Sequence, residues 1–123
     1  MEKLNVIYED NHIIVVIKPQ NVPTQEDSSK DKDMLTMVKE YIKEKYNKPG
    51  NVYVGLVHRL DRPTGGVMVF AKTSKAASRL SEGIKNNEVS KKYLAILRLA
   101  KGQMCNVEHL LKHDLDGTSL TKY

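Results

Sequence analysis

Five consecutive residues, Ile13-Ile14-Val15-Val16-Ile17, are all β-branched. Such side chains are stiff at χ1 and crowd a helix turn, so the run favours an extended strand. It is also the longest apolar run near the N-terminus, and far too short for a bilayer, which needs about 20 apolar residues in a helix. Lys18-Pro19 closes the strand, because proline donates no ladder hydrogen bond. Before it, Val6-Ile7-Tyr8 reads as a shorter strand and Glu9-Asp10-Asn11 as the turn between the two. Lys18 itself, next to a proline, reads as a solvated lysine.

From Gln20 to Lys32 the chain is polar, carries Pro23 and Ser28-Ser29, and reads as an exposed loop. Asp33 is placed to cap a helix running to about Tyr46, with Met34, Met37, Val38, Tyr41 and Ile42 at helical spacing. Asn47-Lys48-Pro49-Gly50-Asn51 stops it. Strands are expected at about 52–57 and 66–71, then a helix capped by Thr73 or Ser74 and ending near Asn86, with Ala77, Leu80 and Ile84 on its apolar face. Tyr93 to Leu99 reads as a final strand. Hairpins with two helices near 33–46 and 74–86, without regular strand–helix alternation, indicate an α+β fold built on a mixed, mainly antiparallel sheet. Its 123 residues make one domain at most.

Twenty basic against 15 acidic residues leave a net charge of +5, which suits a polyanionic partner without requiring one. No signal-peptide pattern opens at Met1, and the single cysteine, Cys105, forms no internal disulfide; both suit a cytoplasmic protein, with no membrane attachment expected. Glu108, His109 and His113 would align two imidazoles on a helix, but no further ligand completes a metal site, so none is expected.

The most polar stretch between two β-runs is His58-Arg59-Leu60-Asp61-Arg62-Pro63-Thr64-Gly65-Gly66. Asp61 lies there among His58, Arg59 and Arg62, and an aspartate so placed is ordinarily half of a surface ion pair. Thr64-Gly65-Gly66 offers backbone N–H groups to an anion, although the spacing matches no phosphate-binding loop. Residue physics stops at a glycine-bearing polar loop on a strand scaffold, a common place for sites.

The same stretch, followed by Val67-Met68-Val69-Phe70-Ala71-Lys72-Thr73, resembles the H-R-L-D-x-x-T-S-G motif and following strand of RluA-type RNA pseudouridine synthases. Tyr8-Glu9-Asp10 and Val15-Val16-Ile17-Lys18-Pro19 resemble that family's opening hairpin and K-P segment. Val89-Ser90-Lys91-Lys92-Tyr93-Leu94-Ala95 resembles its K-x-Y strand. The resemblance implies the N-terminal portion of a pseudouridine synthase fold over residues 1–123, and isomerisation of uridine to pseudouridine in structured ribosomal or transfer RNA. It implies Asp61 as the catalytic aspartate, Arg59 as the arginine entering the RNA where the base leaves, and Tyr93 as the tyrosine stacking on the uracil. His58, Leu60 and Thr64 match positions that shape the loop. No cofactor or metal is implied.

Two departures accompany the match. Gly65 stands where the family usually has serine, and nothing after Lys101 resembles a later G-R-x-H-Q-I-R-like segment that supplies the aspartate's basic partner. Residues 1–123 alone are therefore expected to convert little uridine, while a version extended through such a segment is expected to be active. The alternative is a non-catalytic RNA-binding or structural remnant of the family. With RNA as partner, Lys72, Lys91 or Lys92 is expected on the Arg59 side, within reach of phosphate.

Overall fold

The computed structural model describes residues 3–94, with a compact unit ending at Ser90. Its elements are β1 (Asn5–Glu9), β2 (Ile13–Lys18), α1 (Met34–Lys45), β3 (Gly55–Leu56), β4 (Gly66–Ala71) and α2 (Ser74–Lys85). The four strands form one sheet in the order β1-β2-β4-β3, and every described pair is antiparallel. The expected α+β architecture is observed, and the motif loop joins neighbouring strands β3 and β4.

Strand alternation gives the sheet two unlike faces. Ile14, Val16 and Lys18 of β2 lie opposite Phe70, Met68 and Gly66 of β4. On that face the hydrophobic side chains join Met34, Met37, Val38 and Ile42 of α1 in the core. Burying each large apolar side chain contributes about 1.5–3 kcal/mol. The other face carries Ile13, Val15, Ile17, Val67 and Val69; the first three and Val69 are half-buried, and Val67 is 56% exposed. There α2 packs near Gly55 and Ala71, where a Cβ on Gly55 would lie 2.9 Å from the Ala77 Cβ.

Asp33 caps α1 as expected, its carboxylate accepting from Thr36 N at 3.0 Å and Thr36 Oγ1 at 2.7 Å. Two further N–H groups at that helix start are met by the loop before it: Met34 N donates to Pro23 O at 2.9 Å, and Leu35 N to Thr24 O at 3.0 Å. Thr73 caps α2 by accepting from Ala76 N at 3.1 Å. That helix buries Ala76, whereas Ala77, Leu80 and Ile84 are only half-buried.

Two expectations change. β3 is two residues long rather than about six, because His58 Nε2 accepts the Val69 N–H at 3.0 Å where a continuing strand would offer a carbonyl. Tyr93 and Leu94 belong to no helix or strand, and residues 95–99, with Cys105 and the Glu108, His109 and His113 group, lie outside the described residues. No described helix is long and apolar enough to cross a membrane.

Candidate active site

The loop 58–66 leaves the sheet at β3 and returns at β4, and it is tied down residue by residue. His58 is fixed to β4 through Val69 N. Leu60 is 8% exposed and joins the core. Both of its backbone groups meet one buried hydroxyl: Thr24 Oγ1 donates to Leu60 O at 2.7 Å and accepts from Leu60 N at 3.2 Å. The Arg62 carbonyl accepts from Asn21 N at 2.8 Å and from Lys18 Nζ at 2.9 Å. The Thr64 carbonyl accepts from Lys18 Nζ at 2.6 Å, while Thr64 N donates to Asp61 O at 2.9 Å. Buried backbone groups need such partners, so these bonds fix the path of the chain on both sides of Asp61.

Lys18 is the centre of this fastening. It is fully buried, and its ammonium also donates to Pro19 O at 3.0 Å, so three carbonyls use its three donors. Burial pushes its pKa down, the Arg62 charge adds to that, and Asp61 opposes it. The expectation of a solvated lysine is thus corrected. Ile14, Val16 and Lys18 share one face by alternation, and that face is the core.

Gly65 and Gly66 fit the loop for different reasons. A Cβ on Gly65 would lie 3.3 Å from both Lys18 O and Gln20 N, and 3.1 Å from Gln20 Cγ. The Lys18–Gln20 backbone therefore passes too close for the usual serine unless it gives by a few tenths of an ångström. Gly66 has φ 154°, a conformation that favours glycine.

Against this fixed frame, Asp61 and Arg59 point outward. Both are exposed, and neither side chain makes a hydrogen bond or ion pair among the described residues. The next cation in the chain differs: the Arg62 guanidinium is engaged by Asn21, Asp27, Ser29 and Asp31. Hydrogen bonding to Asp31 is the main reason its pKa is raised. Among the described residues no group of three or more His, Cys, Asp and Glu is placed to hold a metal ion.

At the opposite end of β4, Lys72 donates to Glu9 Oε1 at 2.9 Å and Asp10 O at 2.8 Å. Of the three lysines named as alternatives for phosphate contact, Lys72 is therefore already engaged within its own chain. Tyr93 is 64% exposed and lies beyond the compact unit, with Lys91 and Lys92. Sequence reasoning singled out Asp61 and Arg59 but passed over Lys18, Thr24 and Asn21, which hold them.

The family model for RNA pseudouridylate synthase matches residues 12–121. The chain belongs to the RNA pseudouridylate synthase family. Among its relatives, the tRNA pseudouridine synthase C of Haemophilus ducreyi is 32% identical over 114 residues, covering 93% of this chain and 45% of that protein. The ribosomal large subunit pseudouridine synthase D of Yersinia pestis is 36% identical over 94 residues, 76% of this chain and 28% of that one. An uncharacterised RNA pseudouridine synthase of Mycoplasma genitalium is 37% identical over 100 residues, 78% and 31%. The matches thus span between 28% and 45% of these pseudouridine synthases' own length. A solved structure, human RNA Pseudouridylate Synthase Domain Containing 4, shares the fold at TM-score 0.58 and 23% identity, over 68% of this chain and 30% of that one.

Proposed function

We propose that this chain carries the catalytic aspartate loop of an enzyme that isomerises uridine to pseudouridine in structured RNA, ribosomal or transfer, in the cytoplasm. The supporting observation is an exposed, unpaired Asp61 carboxylate on a loop whose backbone is fixed on both sides, in a member of this family. A catalytic group must hold its position to within a fraction of an ångström while staying open to substrate.

In the reaction the N1–C1′ bond of uridine breaks, the uracil turns over, C5 bonds to C1′ and gives up its proton, and N1 gains one. A stacked base has no room to turn, so it must leave the helix for a pocket, as in other base-modifying enzymes. Asp61 supplies an ionised carboxylate that attacks C1′ or C6 or removes the 2′ proton. Arg59, exposed two residues away, fills the gap left in the stack and pairs with phosphate. Tyr93 presents an aromatic face to the freed uracil, a contact worth roughly 1–3 kcal/mol. Each of these steps uses protein side chains alone.

The test is to incubate the full-length gene product with transcribed ribosomal and transfer RNA and to map pseudouridine by chemical derivatisation and primer extension. Site-specific pseudouridine without added metal or cofactor is expected. Tyr93→Phe should retain more activity than Tyr93→Ala. RNA binding with no conversion under any condition would overturn the catalytic reading and leave the non-catalytic one.

A further inference from the structure

Arg62 follows Asp61 directly, yet its guanidinium is already held by acids of its own chain. Nε donates to Asn21 Oδ1 at 3.2 Å, Nη1 to Ser29 Oγ at 3.0 Å and to Asp27 Oδ2 at 3.3 Å, and Nη2 to Asp31. The last three acceptors belong to one turn. Ser29 N donates to Asp27 Oδ1 at 2.9 Å, Asp31 N to Ser29 Oγ at 3.1 Å, and Lys30 N to Asp27 O at 3.3 Å, with Lys30 at φ 60°. Two carboxylates and a hydroxyl thus converge on one guanidinium, much as phosphate oxygens do.

The attachment is built to come apart. From Gln25 to Asp31, no other hydrogen bond or ion pair joins the turn to the rest of the described residues. Residues 26–31 are all exposed, and exposed ion pairs are individually weak and screened by salt. The Arg62 backbone, by contrast, is held by Lys18 and Asn21 independently of its side chain. The guanidinium can therefore let go of the turn while the Asp61 loop keeps its path.

We propose that the Asp27–Asp31 turn is an internal stand-in for phosphate, occupying Arg62 in the RNA-free protein and displaced when an RNA phosphate binds beside Asp61. The inference rests on the RNA reading above. The turn restrains binding in two ways: it takes three of the five guanidinium N–H groups, and its two carboxylates stand where a phosphate would approach.

The experiment measures affinity for a uridine-containing RNA hairpin by fluorescence anisotropy at low and moderate salt. It compares Asp27→Asn/Asp31→Asn with a charge-matched control, Glu44→Gln/Glu82→Gln, which removes two exposed carboxylates from the helices. Both raise the net charge by two; the turn variant should tighten binding about tenfold and the control about twofold. In an Arg62→Ala background the turn variant should gain no more than the control. Amide exchange at Asn21 and Thr64 should stay as slow as in the unaltered protein, since their bonds do not involve the turn. Equal gains in turn variant and control, or an excess gain that survives Arg62→Ala, would overturn the inference while leaving RNA binding intact. No binding by any protein at low salt would instead remove RNA, and this inference with it.

Discussion

Glu9 and Asp61 are carboxylates at opposite ends of the same sheet, and the chain treats them oppositely. Glu9 receives Lys45 Nζ at 2.7 Å, Lys72 Nζ at 2.9 Å, Tyr46 Oη at 2.7 Å and Tyr41 Oη at 3.1 Å. It ties β1 to α1 and to the residue after β4, and its side chain is only 8% exposed. At Asp61 the donors go to the neighbouring backbone instead, and the carboxylate stays open. A saturated carboxylate stabilises and has no capacity left for substrate. An open one on a fixed backbone adds little stability and keeps its charge for another molecule. Both ends use a lysine, but Lys72 neutralises an acid whereas Lys18 serves three neutral carbonyls.

The comparison breaks first at Lys18. Lys18→Met keeps the apolar stem but leaves three carbonyls short of a donor, and it should cost about 3 kcal/mol in urea unfolding. Exchange should also quicken at Asn21 and Thr64. A loss below about 1 kcal/mol would mean the ammonium does not organise the loop.

Glu9→Gln should cost about 2 kcal/mol at neutral pH, through a network with α1 that leaves the Asp61 loop untouched. Burial pushes the Glu9 carboxyl up, but hydrogen bonds from Lys45, Lys72 and Tyr46 more than offset this and hold it at about 2, below its ordinary 4.5. A depressed carboxyl stabilises fully above its unfolded pKa, so this contribution should be complete above about 4.5 and fade as pH falls toward about 2. Urea titrations of the two proteins should therefore converge in acid; a constant gap across that window would contradict the assignment. Smaller again is Thr24→Val, which keeps the shape and removes the hydroxyl from both Leu60 groups. About 1–2 kcal/mol is expected, with faster exchange at Leu60 N.

Much of this frame was legible beforehand. The β-branched run, the Asp33 cap and the helical spacing of Met34, Met37, Val38 and Ile42 specify β2 and α1, because local preference and burial agree there. Asp61 and Arg59 were legible only through the motif, since an exposed aspartate in a loop has no signature of its own. Lys18 was open to derivation: continuing the Ile14, Val16 alternation one step puts it in the core, but its charge and Pro19 pointed to solvent. Thr24 and Asn21 were not legible, because their partners Leu60 and Arg62 lie about 40 residues away in the chain. The short β3 escaped for a similar reason, as nothing local says that an imidazole will replace a strand carbonyl at Val69. The Tyr93 role rests on the motif alone.

Asp61→Asn in the full-length gene product tests the central claim most directly, with folding and turnover measured on one preparation. Asparagine keeps the size of the side chain and removes its charge and nucleophilicity. Because the carboxylate makes no hydrogen bond or ion pair among the described residues and feels Lys18 only through its charge, unfolding free energy should change by less than about 1 kcal/mol. Pseudouridine formation should fall by at least about a thousandfold. An asparagine variant that still converts uridine at a comparable rate would contradict the claim that this open carboxylate performs the chemistry.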